Sequence, residues 1–144
     1  MPFVIDASVA ACWAFDDEDH PVAARALRLV RSDPGRVPAL WWFEVRNTLI
    51  INERRKRIAE QAVTDFLLQL SALEIHVDTA PNENDVLALA RRHRLTVYDS
   101  AYLELARRQQ ISLATLDESL ANACRAEKVE VIGDRGAGTD PVLS

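Results

Sequence analysis

Short apolar runs alternate along this chain with longer stretches in which apolar residues recur at helical spacing. The short runs predict buried strands at residues 3–7, 74–78, 111–116 and 129–132. The helical spacing predicts helices over residues 8–13, 21–30, 39–55 (entered directly from Val37 and Pro38), 58–73, 82–93 and 117–127, and another that begins close to Asp99. Strands that alternate with helices are typical of a parallel sheet with helices on both faces, so we expect an α/β fold.

The chain has 144 residues, a length that suits a single domain with a well-buried core. No repeat, low-complexity block or linker interrupts it, and we expect one domain over residues 1–132. Residues 133–144 are rich in Gly, Asp and Pro, which predicts a flexible tail. The formal net charge of −5 argues against a generally basic nucleic-acid-binding protein. Contact with a polyanion would therefore need a local basic patch or a cation.

Cysteine content and the N-terminal sequence bear on the cellular compartment. Cys12 and Cys124 are too few and too far apart in sequence for a disulfide framework or a zinc site, which favours free thiols in a reducing compartment. The chain shows neither the charged start and apolar core of a signal peptide nor an apolar run of membrane-spanning length. We therefore expect a cytoplasmic protein that does not associate with a membrane.

Carboxylates follow the predicted strands where parallel α/β sheets place their ligands. Asp6 ends the first strand, Asp117 follows a later strand, and Asp99 lies at a helix start. Glu44 lies within an apolar helix, where a buried carboxylate is costly unless it is paired or hydrogen-bonded. Structural roles would also explain two of these residues. Asp99 would serve as a helix N-cap, and Glu44 would form a salt bridge with Arg46 or another arginine.

If the first strand and the strand before Asp117 are neighbours, these carboxylates meet at one edge of the sheet. Two like charges about 4 Å apart repel by roughly 4 kcal/mol at an effective dielectric constant near 20. The carboxylates would then need bound protons or a hard divalent cation among their oxygens. No cysteine or histidine lies close enough in sequence to indicate a soft-metal site, so Mg²⁺ or Mn²⁺ is the expected cofactor. Such an ion could activate a water molecule and stabilise charge on a phosphate oxygen.

Four blocks of this sequence resemble the signature motifs of PIN-domain nucleases. They are Val4–Ser8, Glu44 within Phe-Glu-Val-Arg-Asn, Tyr98–Ala106 and Leu113–Asp117. In this order and at this spacing, the blocks are most similar to the VapC toxins of bacterial type II toxin–antitoxin pairs, and the resemblance extends to Ile132. It implies a PIN-like three-layer α/β fold with a central parallel sheet flanked by helices on both faces.

The resemblance also implies an activity, a cofactor and partners. A VapC-like protein is a Mg²⁺- or Mn²⁺-dependent endoribonuclease that hydrolyses RNA phosphodiester bonds and is held inactive by a cognate VapB-like antitoxin. Carried over by position, Asp6 and Asp99 would be the main metal ligands and Asp117 a further one. Glu44 would complete the acidic quartet as a catalytic residue. The resemblance further implies a homodimer.

Two hydroxyl residues lie beside the expected ligands. Ser8 and Thr115 match small hydroxyl positions of the family, where they would orient a carboxylate or a water molecule. Ordinary hydrogen bonding at a helix start and a strand end would explain both residues equally well.

The one basic run of the chain is Arg54-Arg55-Lys56-Arg57. An acidic protein that holds RNA beside carboxylates needs a positive edge, and this run is our candidate for phosphate contact. Cations also stabilise the C-terminal end of a helix, so a purely structural role remains the alternative.

Aromatic residues bear on the oligomeric state. Trp13, Trp41, Trp42 and Phe43 are more aromatic surface than a small core readily buries, and a dimer interface would cover the excess. Packing in the core is the alternative for these four side chains.

Other enzyme classes fit the sequence less well. A phosphatase of the haloacid dehalogenase kind needs Asp-x-Asp after the first strand, and Ser8 supplies no second carboxylate. A phospho-receiver domain needs adjacent acids near the first strand and a well-placed lysine, and a metal-free ribonuclease would use histidines that share a block. The alternative from a different class is a catalytically idle PIN scaffold that binds RNA or a protein partner, which an intact acidic quartet argues against.

Overall fold

The computed structural model describes residues 1–17 and 19–133, and over these residues the chain forms four strands and seven helices. In chain order they are β1 (Phe3–Ile5), α1 (Ala7–Cys12), α2 (Pro21–Val30), β2 (Gly35–Pro38), α3 (Leu40–Arg54), α4 (Glu60–Ser71), β3 (Ile75–Asp78), α5 (Glu83–His93), α6 (Val97–Gln109), β4 (Ser112–Ala114) and α7 (Glu118–Ala126). The strands form one parallel sheet in the order β3-β2-β1-β4, flanked by the helices. This confirms the expected three-layer α/β fold. None of these helices is both long and apolar enough to cross a membrane.

Strand β1 occupies an interior position in the sheet. It pairs with β4 from Phe3 to Ile5 on one side and with β2 on the other, and all three of its residues are buried. The amide of Asp6 continues the ladder by donating to the carbonyl of Ala114 at 2.9 Å. Because β1 and β4 are parallel neighbours, the residues that follow them lie at the same edge of the sheet.

Strand β2 corrects our expectation that Val37 and Pro38 lead directly into a helix. Gly35–Pro38 pairs with β1 on one side and β3 on the other. The turn-forming residues before it and the proline at its end hide the strand in the sequence, and pairing with two distant strands creates it. A Cβ on Gly35 would lie 2.6 Å from Cδ1 of the Ile5 side chain, which therefore packs directly against the glycine backbone.

The strand predicted at residues 129–132 is reduced to a single bridge. Val131 pairs with Leu113, and the Ile132 amide donates to the carbonyl of Leu113 at 2.9 Å. Elsewhere, the predicted ends of elements differ from the observed ones by at most two residues. From residue 134 onward, the tail predicted at 133–144 lies outside the described residues.

Helix α6 packs against β1, β2 and β4 and supplies much of the core. Tyr102, Leu103 and Leu105 are fully buried, at 0–1% exposure. Burying a side chain of this size contributes roughly 1.5–3 kcal/mol to folding. The helix is therefore held rigidly by its middle, and this fixes the position of its first turn.

Candidate active site

Asp6 follows β1 and its carboxylate is held by two hydroxyl groups. Ser8 Oγ donates to Asp6 Oδ2 at 2.8 Å, and Thr115 Oγ1 donates to the same oxygen at 2.6 Å. Thr115 follows β4, so the second bond joins the ends of the two neighbouring strands. The other oxygen, Oδ1, receives no side-chain hydrogen bond from residues 1–17 or 19–133. Asp6 is only 6% exposed, and a hydrogen bond from the Ala7 backbone also helps to hold its carboxylate.

Ser8 and Thr115 also hold the segment after β4. The amide of Leu116 donates to Ser8 Oγ at 3.1 Å, and the amide of Asp117 donates to Thr115 Oγ1 at 3.0 Å. Each hydroxyl thus accepts a bond from this segment and donates its own proton to Asp6. The orientation of the Asp6 carboxylate is therefore coupled to the position of Asp117.

Asp99 lies in the first turn of α6 but does not cap the helix. The N-cap is Thr96, whose Oγ1 accepts a hydrogen bond from the Asp99 amide at 3.0 Å. The N-cap interpretation of Asp99 is therefore wrong, because a threonine three residues earlier provides that contact. Asp117 does act as an N-cap: its Oδ1 accepts from the amide of Ser119 at 2.9 Å at the start of α7.

Glu44 is half-buried near the start of α3 and is held by Tyr102. The phenolic hydroxyl of Tyr102, itself fully buried in α6, donates to Glu44 Oε1 at 2.7 Å. A salt bridge between Glu44 and Arg46 does not form, because the Arg46 guanidinium stacks on Trp42 at 3.9 Å from the ring centroid. The sequence motifs did not single out Tyr102 as a site residue. Its position three residues after Asp99, on one face of a helix, is the signal that could have found it.

Asp6, Glu44, Asp99 and Asp117, hereafter the acidic cluster, lie close enough for neighbouring carboxylates to raise the pKa values of Asp6, Glu44 and Asp99. Burial, and then the charges of Asp6 and Asp117, raise the pKa of Asp99 to about 6. Burial also raises the pKa of Asp6, although the hydroxyls of Thr115 and Ser8 oppose the shift. Burial likewise raises the pKa of Glu44, against the hydrogen bond from Tyr102. Within the described part of the chain, no arginine, lysine or histidine forms a salt bridge with these four carboxylates.

The chemistry of the acidic cluster suits a hard divalent cation. Carboxylate oxygens are the ligands that Mg²⁺ and Mn²⁺ prefer, and a bound cation would offset the repulsion among these four carboxylates. Asp6 and Glu44 each have one oxygen fixed by a hydrogen bond from the chain, which orients the other. Among residues 1–17 and 19–133, no three Asp, Glu, His or Cys side chains stand close enough to hold a metal ion without adjustment.

The predicted basic run lies away from the acidic cluster. Arg54 ends α3, ten residues after Glu44, which corresponds to about 15 Å of helix. Arg57 donates to Asn52 Oδ1 at 2.7 Å and lies 3.5 Å from Asp17 Oδ2, so part of the run has a structural role. The structure does not bring Arg54, Arg55, Lys56 and Arg57 together with the carboxylates, and RNA contact there stays a prediction.

The four aromatic residues divide into buried and exposed pairs. Trp41 is buried, and Trp13 is partly buried with its Nε1 donating to the carbonyl of Ala23 at 2.8 Å. Trp42 and Phe43 are 47% and 68% exposed and pack edge to face with ring centroids 5.0 Å apart. Core packing therefore explains the first pair but not the second.

Comparison with known proteins identifies the family. The profile of the PIN domain matches residues 3–126, which is most of the chain. The chain belongs to the PIN-domain family. Ribonuclease VapC3 of Pyrobaculum aerophilum is 34% identical over 125 residues, an alignment that covers 84% of this chain and 93% of that protein. This PIN domain is therefore of the VapC type.

Solved structures share the fold of this PIN domain. PAE2754 of Pyrobaculum aerophilum superposes with a TM-score of 0.71 at 20% identity, covering 92% of this chain and 90% of that one. VapC20 of Mycobacterium tuberculosis, a toxin that cleaves the sarcin–ricin loop, gives 0.61 at 16% identity, covering 84% and 94%. VapBC2 of Rickettsia felis, bound to a DNA fragment from its promoter, gives 0.60 at 14% identity, covering 91% and 97%.

Proposed function

We propose that this PIN domain is a VapC-like endoribonuclease that hydrolyses RNA phosphodiester bonds with the help of Mg²⁺ or Mn²⁺. The observation that carries the proposal is the acidic cluster, four carboxylates gathered at one edge of a parallel sheet with no salt-bridge partner among residues 1–17 and 19–133. The relative with 34% identity, which is named a ribonuclease, supports RNA as the substrate.

Each residue of the acidic cluster has a part in this chemistry. Asp6, Asp99 and Asp117 would hold the metal ion, with Asp6 oriented by Ser8 and Thr115. When bound, the ion supplies a Lewis acid that lowers the pKa of a water molecule and stabilises negative charge on the scissile phosphate.

Glu44 completes the catalytic set. Tyr102 fixes its Oε1, which leaves Oε2 to accept a hydrogen bond from the attacking water. Because burial raises the pKa of Glu44, this carboxylate takes up a proton more readily than an exposed one.

The proposal extends to regulation and assembly. We propose that the protein is a cytoplasmic toxin held inactive by a VapB-like antitoxin, which the fold shared with VapBC2 supports. We also propose a homodimer in which a second copy covers the exposed Trp42 and Phe43. Light scattering of the wild type beside a Phe43→Ser variant tests the dimer. A wild type that is monomeric at micromolar concentration would contradict it.

Cleavage of RNA with and without metal tests the activity. The wild type should cut a structured RNA in Mg²⁺ or Mn²⁺ and lose the activity in EDTA. Asp99→Asn keeps the shape of the side chain and removes its charge, so cleavage should fall at least about a hundred-fold, the effect of losing several kcal/mol of charge stabilisation. Retained cleavage by Asp99→Asn would contradict the role of Asp99, and a wild type that binds RNA without cutting it would identify an idle PIN scaffold.

A further inference from the structure

Tyr102 carries a hydroxyl group to a point where three elements meet. The residue is fully buried in the middle of α6, a helix that packs against β1. Its hydroxyl donates to Oε1 of Glu44 on α3 at 2.7 Å. The charge of Asp6 and the backbone N–H of Ala7, at the start of α1, both act on the pKa of this hydroxyl. Tyr102 therefore links Glu44 to the segment that carries Asp6.

The hydroxyl of Tyr102 stays protonated and has one hydrogen to donate. Burial, and then the charge of Asp6 and the contact with Glu44, raise the pKa of Tyr102 above its ordinary value. A phenol carries a single donor hydrogen, and here Glu44 Oε1 receives it. Because Oε1 is the acceptor in this bond, a proton that Glu44 takes up resides on the other oxygen, Oε2.

The second oxygen of Glu44 has no competing partner in the described part of the chain. Oε2 accepts no hydrogen bond from residues 1–17 or 19–133, and the charge of Asp6 is among the causes that raise the pKa of Glu44. Tyr102 is 0% exposed and has no room to move, so its hydroxyl fixes Oε1 in space. A carboxylate is planar, and fixing one oxygen restricts the position of the other.

We infer that Tyr102 is a positioning residue of the proposed reaction and orients Glu44 so that Oε2 receives a proton from the attacking water. As the water oxygen bonds to phosphorus, the bond from phosphorus to the leaving ribose oxygen breaks. One proton of the attacking water moves to Oε2, and another water molecule supplies the proton that the leaving oxygen requires. A general base must lie within hydrogen-bond reach of the proton it takes, so its orientation decides its efficiency.

This inference rests on the proposed ribonuclease function and adds to it a residue that acts only through Glu44. Tyr102 itself is not expected to touch the RNA or a metal ion. Its removal should therefore change the rate of the chemical step and leave the binding of substrate and of metal intact.

Ser100 offers a matched control on the same helix. Like Tyr102, it is fully buried, and its hydroxyl donates to the carbonyl of Val86 on α5 at 2.6 Å. Ser100 directly follows Asp99, yet its hydroxyl is engaged away from Glu44. Tyr102→Phe and Ser100→Ala each remove one buried hydroxyl from α6 and differ in the group that loses the hydrogen bond.

Steady-state cleavage of a structured RNA in saturating Mg²⁺ tests the role of Tyr102. Tyr102→Phe should lower kcat by roughly 10- to 100-fold, part of the roughly 10²- to 10⁴-fold that general acid–base catalysis contributes, and should leave KM unchanged. Ser100→Ala should retain the kcat of the wild type. Because Tyr102 acts through Glu44, Tyr102→Phe should have no further effect on kcat in a Glu44→Gln background. Losses of equal size in the two backgrounds, or in the two hydroxyl variants, would overturn the inference.

Carbon-13 NMR of metal-free protein labelled in its glutamate side chains gives a readout that does not depend on cleavage. The signal of Glu44 is identified by its absence from Glu44→Gln. The hydrogen bond from Tyr102 opposes the rise in the pKa of Glu44, so Tyr102→Phe should raise that pKa further and Ser100→Ala should leave it unchanged. An unchanged pKa of Glu44 in Tyr102→Phe would overturn the inference.

Thermal unfolding separates a positioning role from damage to the fold or to the metal site. Mg²⁺ should raise the melting temperatures of Tyr102→Phe and the wild type equally, because the variant keeps all four carboxylates of the acidic cluster. A smaller rise in Tyr102→Phe would overturn the inference, since Tyr102 would then act on metal binding. A wild type that does not cut RNA would overturn the proposed function, whereas cleavage by the wild type with an unchanged kcat in Tyr102→Phe would overturn this inference alone.

Discussion

Helix α6 contributes a carboxylate to each of two acidic groups, and the charges of the two groups are balanced differently. In the Arg108 cluster, formed by Asp78, Glu104 and Arg108, the guanidinium bonds both acids: Nε and Nη2 lie 2.7 and 3.1 Å from Glu104, and Nη1 and Nη2 lie 3.2 and 2.7 Å from Asp78. Glu104 is only 1% exposed. Five residues earlier, Asp99 shares the acidic cluster with three more acids, and no base of the described chain forms a salt bridge with them.

The pKa values differ accordingly. Hydrogen bonds to Glu104 and then to Asp78 raise the pKa of Arg108, which means that the charged pair is favoured. In the acidic cluster, burial and like charges raise the pKa of Asp99 to about 6. In the first group, a guanidinium within the fold bonds both carboxylates, and the group serves stability. In the second group, the described residues supply no basic partner, so protons or a cation must balance the charge, and this makes the group available for chemistry.

Removing one partner from the Arg108 cluster should have the largest effect on stability. Glu104→Gln leaves a guanidinium without its main counter-charge, a loss of 3–5 kcal/mol in fully buried pairs. Arg108 is 31% exposed and keeps its contact with Asp78. We therefore expect Glu104→Gln to lower the free energy of unfolding by about 2 kcal/mol, measured by urea denaturation. Asp99→Asn, the same chemical change five residues away, should leave stability unchanged or higher. Equal losses in the two variants would remove the distinction between the clusters.

Metal-dependent stabilisation should distinguish Glu44 from a structural carboxylate. Mg²⁺ should raise the melting temperature of the wild type more than that of Glu44→Gln, because the variant supplies one negative charge fewer to the acidic cluster. Glu104→Gln serves as the control, and its rise with Mg²⁺ should equal that of the wild type. If Mg²⁺ raises the melting temperatures of the wild type and Glu44→Gln equally, the role of Glu44 is structural.

The pH dependence of stability should carry the signature of Asp99. Its pKa rises from 3.8 to about 6 on folding, so the folded protein binds this proton more tightly than the unfolded chain. Without metal, stability relative to Asp99→Asn should therefore decline as pH rises from about 4 to about 7. Because a metal ion needs the deprotonated carboxylate, stabilisation by Mg²⁺ should grow over the same range. A difference between wild type and variant that does not change with pH would contradict this sign.

Substitutions in the basic run, which provides positive charge outside both clusters, should have the smallest effect of those considered. If Arg54 and Arg55 contact phosphates, replacing both with alanine should flatten the salt slope of RNA binding by about one unit and weaken all RNAs alike. Cleavage at saturating RNA should survive, because the run lies about 15 Å along α3 from Glu44. An unchanged slope would make the run a solvated helix end.

Local features of the sequence determined where the carboxylates stand in their own elements. Asp6 after β1, Asp117 after β4 and Asp99 in the first turn of α6 follow from apolar runs and helical spacing, which depend on neighbouring residues. The α/β class follows from the same local periodicity. Even here the cap of α6 was misassigned, because a threonine and an aspartate three residues apart both suit an N-terminus.

Only the tertiary structure decided which of these groups meet and which are neutralised. Strand β2 exists because β1 and β3 pair with it. The placement of β1 beside β4 lets Thr115 donate a hydrogen bond to Asp6, 109 positions away in the sequence. Two further contacts join segments that are distant along the chain: the hydrogen bond from Tyr102 to Glu44 and the salt bridge between Arg108 and Asp78. Local patterns carry no information about such partners, because the energy of a buried charge depends on everything that packs around it.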